Sequence, residues 1–119
     1  MAYVDGFVTP VPKRNVAKYL RLSRTFGKVW RDHGALDFRE SIADDVKWGK
    51  RTSFLRAVKR KPGETVFFSY IVYKSRAHRD SVNARAMKDK RVADVMNPKA
   101  LPFDGRRMIW GGFKVVVDL

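Results

Sequence analysis

The sequence predicts an α+β domain built on one antiparallel sheet, and three observations carry that expectation. Stretches that alternate every second residue take turns with stretches of helical period, in the order strand, helix, strand, strand, helix, strand. The runs at 66–73 and 108–117 are apolar on both faces, which is unusual for a sheet with one side in water. The 119 residues include no cysteine, no repeat and no linker rich in Ser or Gly, so 1–119 reads as a single domain without disulfides or thiolate metal ligands. No stretch approaches the roughly 20 apolar residues of a membrane helix. MAYVDGF also lacks the basic-then-apolar order of a secretory signal, so the expected location is cytoplasmic.

Tyr3 to Val11 alternates as a strand, with Tyr3, Asp5 and Phe7 on one face and Val4, Gly6 and Val8 on the other. The prolines at 10 and 12 are expected to stop it. Asn15 is placed to cap the helix that follows. Along that helix Val16, Tyr19, Leu22, Phe26, Val29 and Trp30 share one side, while Arg14, Lys18, Arg21, Arg24, Lys28 and Arg31 share the other. His33 and Gly34 supply its end, glycine for the left-handed stop and histidine for the negative helix terminus. Leu36 to Ala43 alternates again, with Leu36, Phe38, Glu40 and Ile42 on one face. In the polar stretch that follows, Thr52 to Val58 reads as either a short strand or one helical turn, and Pro62 with Gly63 marks a turn. Val66 to Tyr73 is the clearest strand. Ser75 then caps a second helix running to about Lys90, with a short continuation to Met96, and Met108 to Val117 closes the sheet.

This order is the split βαβ pattern of a ferredoxin-like fold. Two helices can cover only one face of its sheet. Yet Val66, Phe68, Tyr70 and Val72 oppose Phe67, Ile71 and Tyr73, and Met108, Trp110 and Val116 oppose Ile109, Phe113 and Val115. The uncovered face is therefore expected to meet the same face of a second copy, giving a homodimeric α/β barrel. YVDGF at 3–7, GAL at 34–36, SFLRAVKRKPGETVFFSYIVYKSRAHRD from 53 and PFDGRRMIWGGF from 102 stand at matching spacing with a known family. Over essentially its whole length the chain resembles the YbaA-like family of small bacterial proteins, a domain of unknown function. The resemblance implies the dimeric α/β-barrel architecture and no established reaction. The chain departs from that family in being more basic.

Polar residues on apolar faces are the pointers to chemistry. Asp5 lies between Tyr3 and Phe7, and Glu40 between Phe38 and Ile42; a buried carboxylate costs several kcal/mol unless it is paired. On the second helix Arg79 and Asn83 share the face of Val82, Ala86 and Met87, so an Arg79–carboxylate pair is expected. One reading makes this an ion pair tying helix to sheet. The other makes it a site, a pocket between the sheets lined by Phe68, Tyr70 and Trp110, with Glu40 or Asp5 as proton acceptor and Arg79 on an anionic substrate. In PFDGRRMIWGGF, Asp104 and Gly105 carry turn chemistry, Gly111 and Gly112 permit a bulge or a close approach, and Arg107 is a candidate anion ligand. His33 and His78 have no partner at metal-ligand spacing, and nucleophile-elbow and nucleotide fingerprints are absent, so no metal and no cofactor is expected.

Against these stands the charge, 26 Lys and Arg to 12 Asp and Glu, a net of +14. Such a balance attracts polyanions. The alternative function is electrostatic RNA or DNA binding through Arg21, Arg24, Lys28 and Arg31. With the aromatic residues on the opposite side of that helix, it would be weak and indifferent to sequence. A module that binds other proteins and no ligand is the third possibility.

Overall fold

A computed structural model describes all residues, 1–119. Strand β1 (Tyr3–Pro12) leads through a 3₁₀ turn at Lys13–Asn15 into helix α1 (Val16–Asp32), and β2 (Asp37–Ile42) follows. After a single helical turn, α2 (Phe54–Ala57), come β3 (Glu64–Tyr73), α3 (Arg76–Ala86), α4 (Lys90–Val95) and β4 (Ile109–Lys114). The four strands form one antiparallel sheet in the order β2-β3-β1-β4. No helix is long and apolar enough to cross a membrane.

Several boundaries differ from the sequence expectation, each for a local reason. The first strand runs through Pro10 and Pro12, which stay in register with Val66 and Glu64. Ala2 accepts from the Val115 amide of the β4 side, and Lys13 donates to Gly63 beyond the end of β3. The even-numbered residues of β1 thus turn their backbone groups toward β4, which reaches only to Val8. Both prolines lack a donor where none is called for. Asn15 makes no capping bond; its side-chain amide donates to the Pro102 carbonyl at 3.1 Å and ties the start of α1 to the last connection. Residues 54–57 form the helical turn, capped by Ser53, whose side chain accepts from the Arg56 amide.

The second helix stops at Ala86 rather than near Lys90, because the Asp89 side chain caps a new helix by accepting from the Arg91 amide. Met87, expected beside Val82 and Ala86, is consequently exposed. The last strand ends at Lys114 opposite Tyr3, one further bond joins Val115 to Ala2, and 116–119 lie outside the sheet.

Both long helices pack on one face of the sheet. From β1, Tyr3, Asp5, Phe7, Thr9 and Val11 point that way, joined by Phe67, Ser69, Ile71 and Tyr73 of β3 through their register. Tyr3, Val29, Trp30, Ile71, Tyr73, Val82 and Ala86 form the main core. Val29 and Val82, wholly removed from water, contribute about 1.5–3 kcal/mol each. The buried polar tips of the aromatics meet one acceptor: Trp30 Nε1 donates to Asn83 Oδ1 at 2.9 Å, and the Tyr73 hydroxyl donates to the same atom at 3.4 Å. Gly34 ends α1 with φ of 113°, the left-handed geometry that glycine tolerates. At Gly112 a Cβ would stand 2.2 Å from the Tyr3 hydroxyl and 2.7 Å from Arg79 Nη2, so this glycine makes room for the Arg79–Tyr3 contact.

Candidate functional site

A cavity of about 390 Å³ lies between the helix-covered face of the sheet, α1 and the connection 96–108. Its walls are mostly apolar, with Phe7, Phe26, Trp30, Phe38, Ile71 and Phe103 prominent among them. The polar exceptions, Thr9, Tyr19, Ser23, Glu40 and Ser69, come from four different elements. Tyr19 and Ser23 stand one helical turn apart on α1 and share the side that faces β2. The Tyr19 hydroxyl donates to Glu40 Oε1 at 2.5 Å, and the Ser23 hydroxyl donates to Oε2 at 3.1 Å. Glu40 itself lies opposite Ser69 in the ladder, so its position is fixed by strand register.

The electrostatics follow from this placement. Burial pushes the Glu40 carboxyl above the usual glutamate range, against the hydrogen bonds from Tyr19, Ser23 and Ser69, which favour its charged form. The Tyr19 phenol is pushed up as well, by burial first and by the neighbouring Glu40 charge second, and so remains a donor. A carboxyl whose pKa is raised in the fold loses its proton first in the unfolded chain. Its contribution to stability is full below the ordinary glutamate pKa and is lost as pH rises through the raised one.

Of the residues singled out in the sequence, Glu40 alone lines this cavity. Asp5, Arg79 and Asn83 face the same side of the sheet but belong to the packing behind Trp30. Asp5 is 2 % exposed, with Arg79 Nε 3.6 Å from its Oδ1, and Arg79 Nη2 donates to the Tyr3 hydroxyl at 3.0 Å. Burial raises the Asp5 carboxyl and Arg79 opposes it.

Phe68, Tyr70 and Trp110 do line one hollow together, of about 510 Å³, but Glu40, Asp5 and Arg79 take no part in it. Phe68 and Tyr70 pair with Val8 and Gly6 on the uncovered face, whereas Trp110 pairs with Phe7 on the other, stacked on it at 6.4 Å and 60 % exposed. Arg107 is no free anion ligand. Its guanidinium grips Glu64 in a two-pronged pair at 2.8 and 2.7 Å and donates from Nε to Asp104 at 3.1 Å.

The sequence reading placed Tyr19 among core residues and passed over Ser23, Met96, Leu101 and Phe103. Ser23 carried a signal of the same kind as Glu40, a polar residue on an apolar side. Met96, Leu101 and Phe103 carried none, because an irregular segment has no period to read.

The basic side of α1 is also more divided than the wheel suggested. Arg24, Lys28 and Arg31 line a groove of about 650 Å³ between α1 and β2, together with Arg39 and the carboxylates of Asp32, Asp37 and Glu40. The positive surface is interrupted there by acids, and only Arg21 of the four lies outside the groove.

Comparison with known proteins agrees with the residue-level resemblance. A family model described as "Protein of unknown function (DUF1428)" matches residues 2–105. The chain is 41 % identical over 118 residues to "Uncharacterized protein YbaA" of Escherichia coli strain K12, covering 99 % of both chains. The protein of the same name from Shigella flexneri matches to the same extent. Among solved structures, "De novo designed protein Foldit4" aligns over 97 % of this chain and 99 % of its own at 10 % identity, with a TM-score of 0.46.

Proposed function

The chain belongs to the DUF1428 family of unknown function, and from that starting point we propose that it binds a small, mainly apolar molecule in the cavity beneath α1, with Glu40 meeting the ligand's polar group. One observation carries this reading: a cavity of ligand size, walled by aromatic rings, holds a single carboxyl gripped by two hydroxyls. A buried group with a displaced pKa in such a setting is suited to accept or donate a proton. The neutral dye N-phenyl-1-naphthylamine tests it. The dye is expected to bind once per chain and to shift the NMR ring signals of Phe26, Phe38 and Phe103. Shifts confined to Phe68 and Phe113 would place it on the uncovered face and refute the reading.

The same proposal includes the architecture. Strand order β2-β3-β1-β4 with every neighbour antiparallel is the order of a ferredoxin-like sheet, which supports that assignment. The face away from α1 and α3 carries Val4, Phe68, Tyr70, Ile109 and Phe113, with Gly6 and Gly111 opposite one another between them, while Val8 on the same face is already buried in a cluster with Val58 and Val66. Phe68, Ile109 and Phe113 are more than two fifths exposed. A second copy applying the same face would remove these groups from water by a two-fold axis, closing a dimeric α/β barrel. Sedimentation equilibrium is expected to give the mass of two chains, and Phe113→Asp that of one. A wild-type monomer at micromolar concentration would overturn it.

A further inference from the structure

The groove beside α1 and the cavity beneath it share three residues, Ser23, Phe38 and Glu40. The partition between them includes the Phe38 ring. That ring seats in the notch left by Gly27, where a Cβ would stand 2.8 Å from Phe38 Cδ1. Nearly every charged group along the groove already has a partner. Arg39 pairs with Asp37, Asp32 with Arg91, and Glu40 accepts from Tyr19 and Ser23. Arg31 donates to the carbonyls of Ala35 and Leu36. The exceptions are Arg24 and Lys28, one helical turn apart on either side of Gly27, and neither makes a hydrogen bond or ion pair. Two unpaired cations thus stand on the far side of the aromatic ring that closes an apolar cavity.

We infer that the cavity's ligand is an anionic amphiphile, a ring-sized apolar body carrying one carboxylate, sulfonate or phosphate, whose anionic group rests between Arg24 and Lys28 while its body enters the cavity with the Phe38 ring swung off Gly27. This rests on the cavity reading above and adds the class of ligand. Placing the anion in the groove keeps it in reach of water and of both cations, and leaves the cavity to the part that gains from burial.

Two dyes that differ by a sulfonate separate the possibilities: 1-anilinonaphthalene-8-sulfonate and its neutral parent N-phenyl-1-naphthylamine. Both are titrated against the full chain by fluorescence, with each competing against the other. The sulfonate is expected to bind about tenfold more tightly, as two partly exposed ion pairs would provide. R24Q/K28Q should bring it down to the affinity of the neutral dye and leave the neutral dye unchanged. K18Q/R21Q removes the same charge from the outer side of α1 and should change neither. If the two double variants weaken the sulfonate equally, or if wild type shows no preference for it, the inference is overturned while the cavity stands. If the neutral dye fails to bind at all, both the cavity reading and this one fall.

Discussion

Arg107→Ala is expected to destabilise the fold by about 3–5 kcal/mol, the range for breaking a buried ion pair from one side. The side chains of Arg107 and Glu64 are 14 % and 7 % exposed, and Glu64 is further held by the Lys61 amide at 2.7 Å. Removing the guanidinium also frees Asp104 and the Lys59 carbonyl, so the turn before β4 loses its tie to the start of β3. Urea unfolding of wild type, Arg107→Ala and Arg107→Lys measures this. Lysine keeps the charge but not the two-pronged geometry, and should recover only part of the loss. The Arg107 guanidinium holds the Glu64 carboxyl below the usual glutamate range. Such a group adds stability above its unfolded pKa and loses it as pH falls through the lowered one. The gap between wild type and Arg107→Ala should therefore close in acid. A loss under about 1 kcal/mol, typical of an exposed pair, would show that the contact is superficial.

Arg79→Met is expected to cost a similar amount, about 3–5 kcal/mol near neutral pH, since it leaves Asp5 buried without its counter-charge. Here the native carboxyl is already raised, burial outweighing the guanidinium. Without Arg79 only the Tyr73 hydrogen bond opposes the desolvation, and Asp5 will hold its proton to higher pH. The cost should be small where Asp5 is protonated in both folded and unfolded chains, and should grow as pH rises above the ordinary aspartate range. Asp5→Asn placed on Arg79→Met should restore most of the loss, because a neutral amide needs no counter-ion. A cost independent of pH, unrelieved by Asp5→Asn, would mean that Arg79 acts through packing against Tyr3 and not through its charge.

Only one of these pairs was legible beforehand, and the difference between them is instructive. Asp5 and Arg79 each interrupted an apolar pattern, so period alone marked them as groups in need of partners. Arg107 and Glu64 lie 43 residues apart at the ends of elements, where no pattern surrounds them, and Arg107 read as a free cation. The strand and helix order followed from alternation, and strand register then placed Glu40 beside Ser69. Which face Trp110 takes depended on pairing with Phe7, a long-range fact that local alternation does not hold. The cavity depended on the path of residues 96–108, fixed in part by the Asn15 amide reaching Pro102, and a bond across the chain leaves no local trace.

The two prolines of β1 have a consequence for how that strand can extend past its neighbour. Beyond Val8 the strand runs on without β4 beside it, and Pro10 there is buried, while Arg107 of the connection before β4 reaches Glu64 opposite Pro12. Pro10 and Pro12 carry no amide hydrogens at these alternate positions, so the buried flank holds no backbone donor in need of the partner that β4 no longer supplies. Two residues that look, at first reading, like the end of the strand thus let it outrun its neighbour without leaving an orphaned amide.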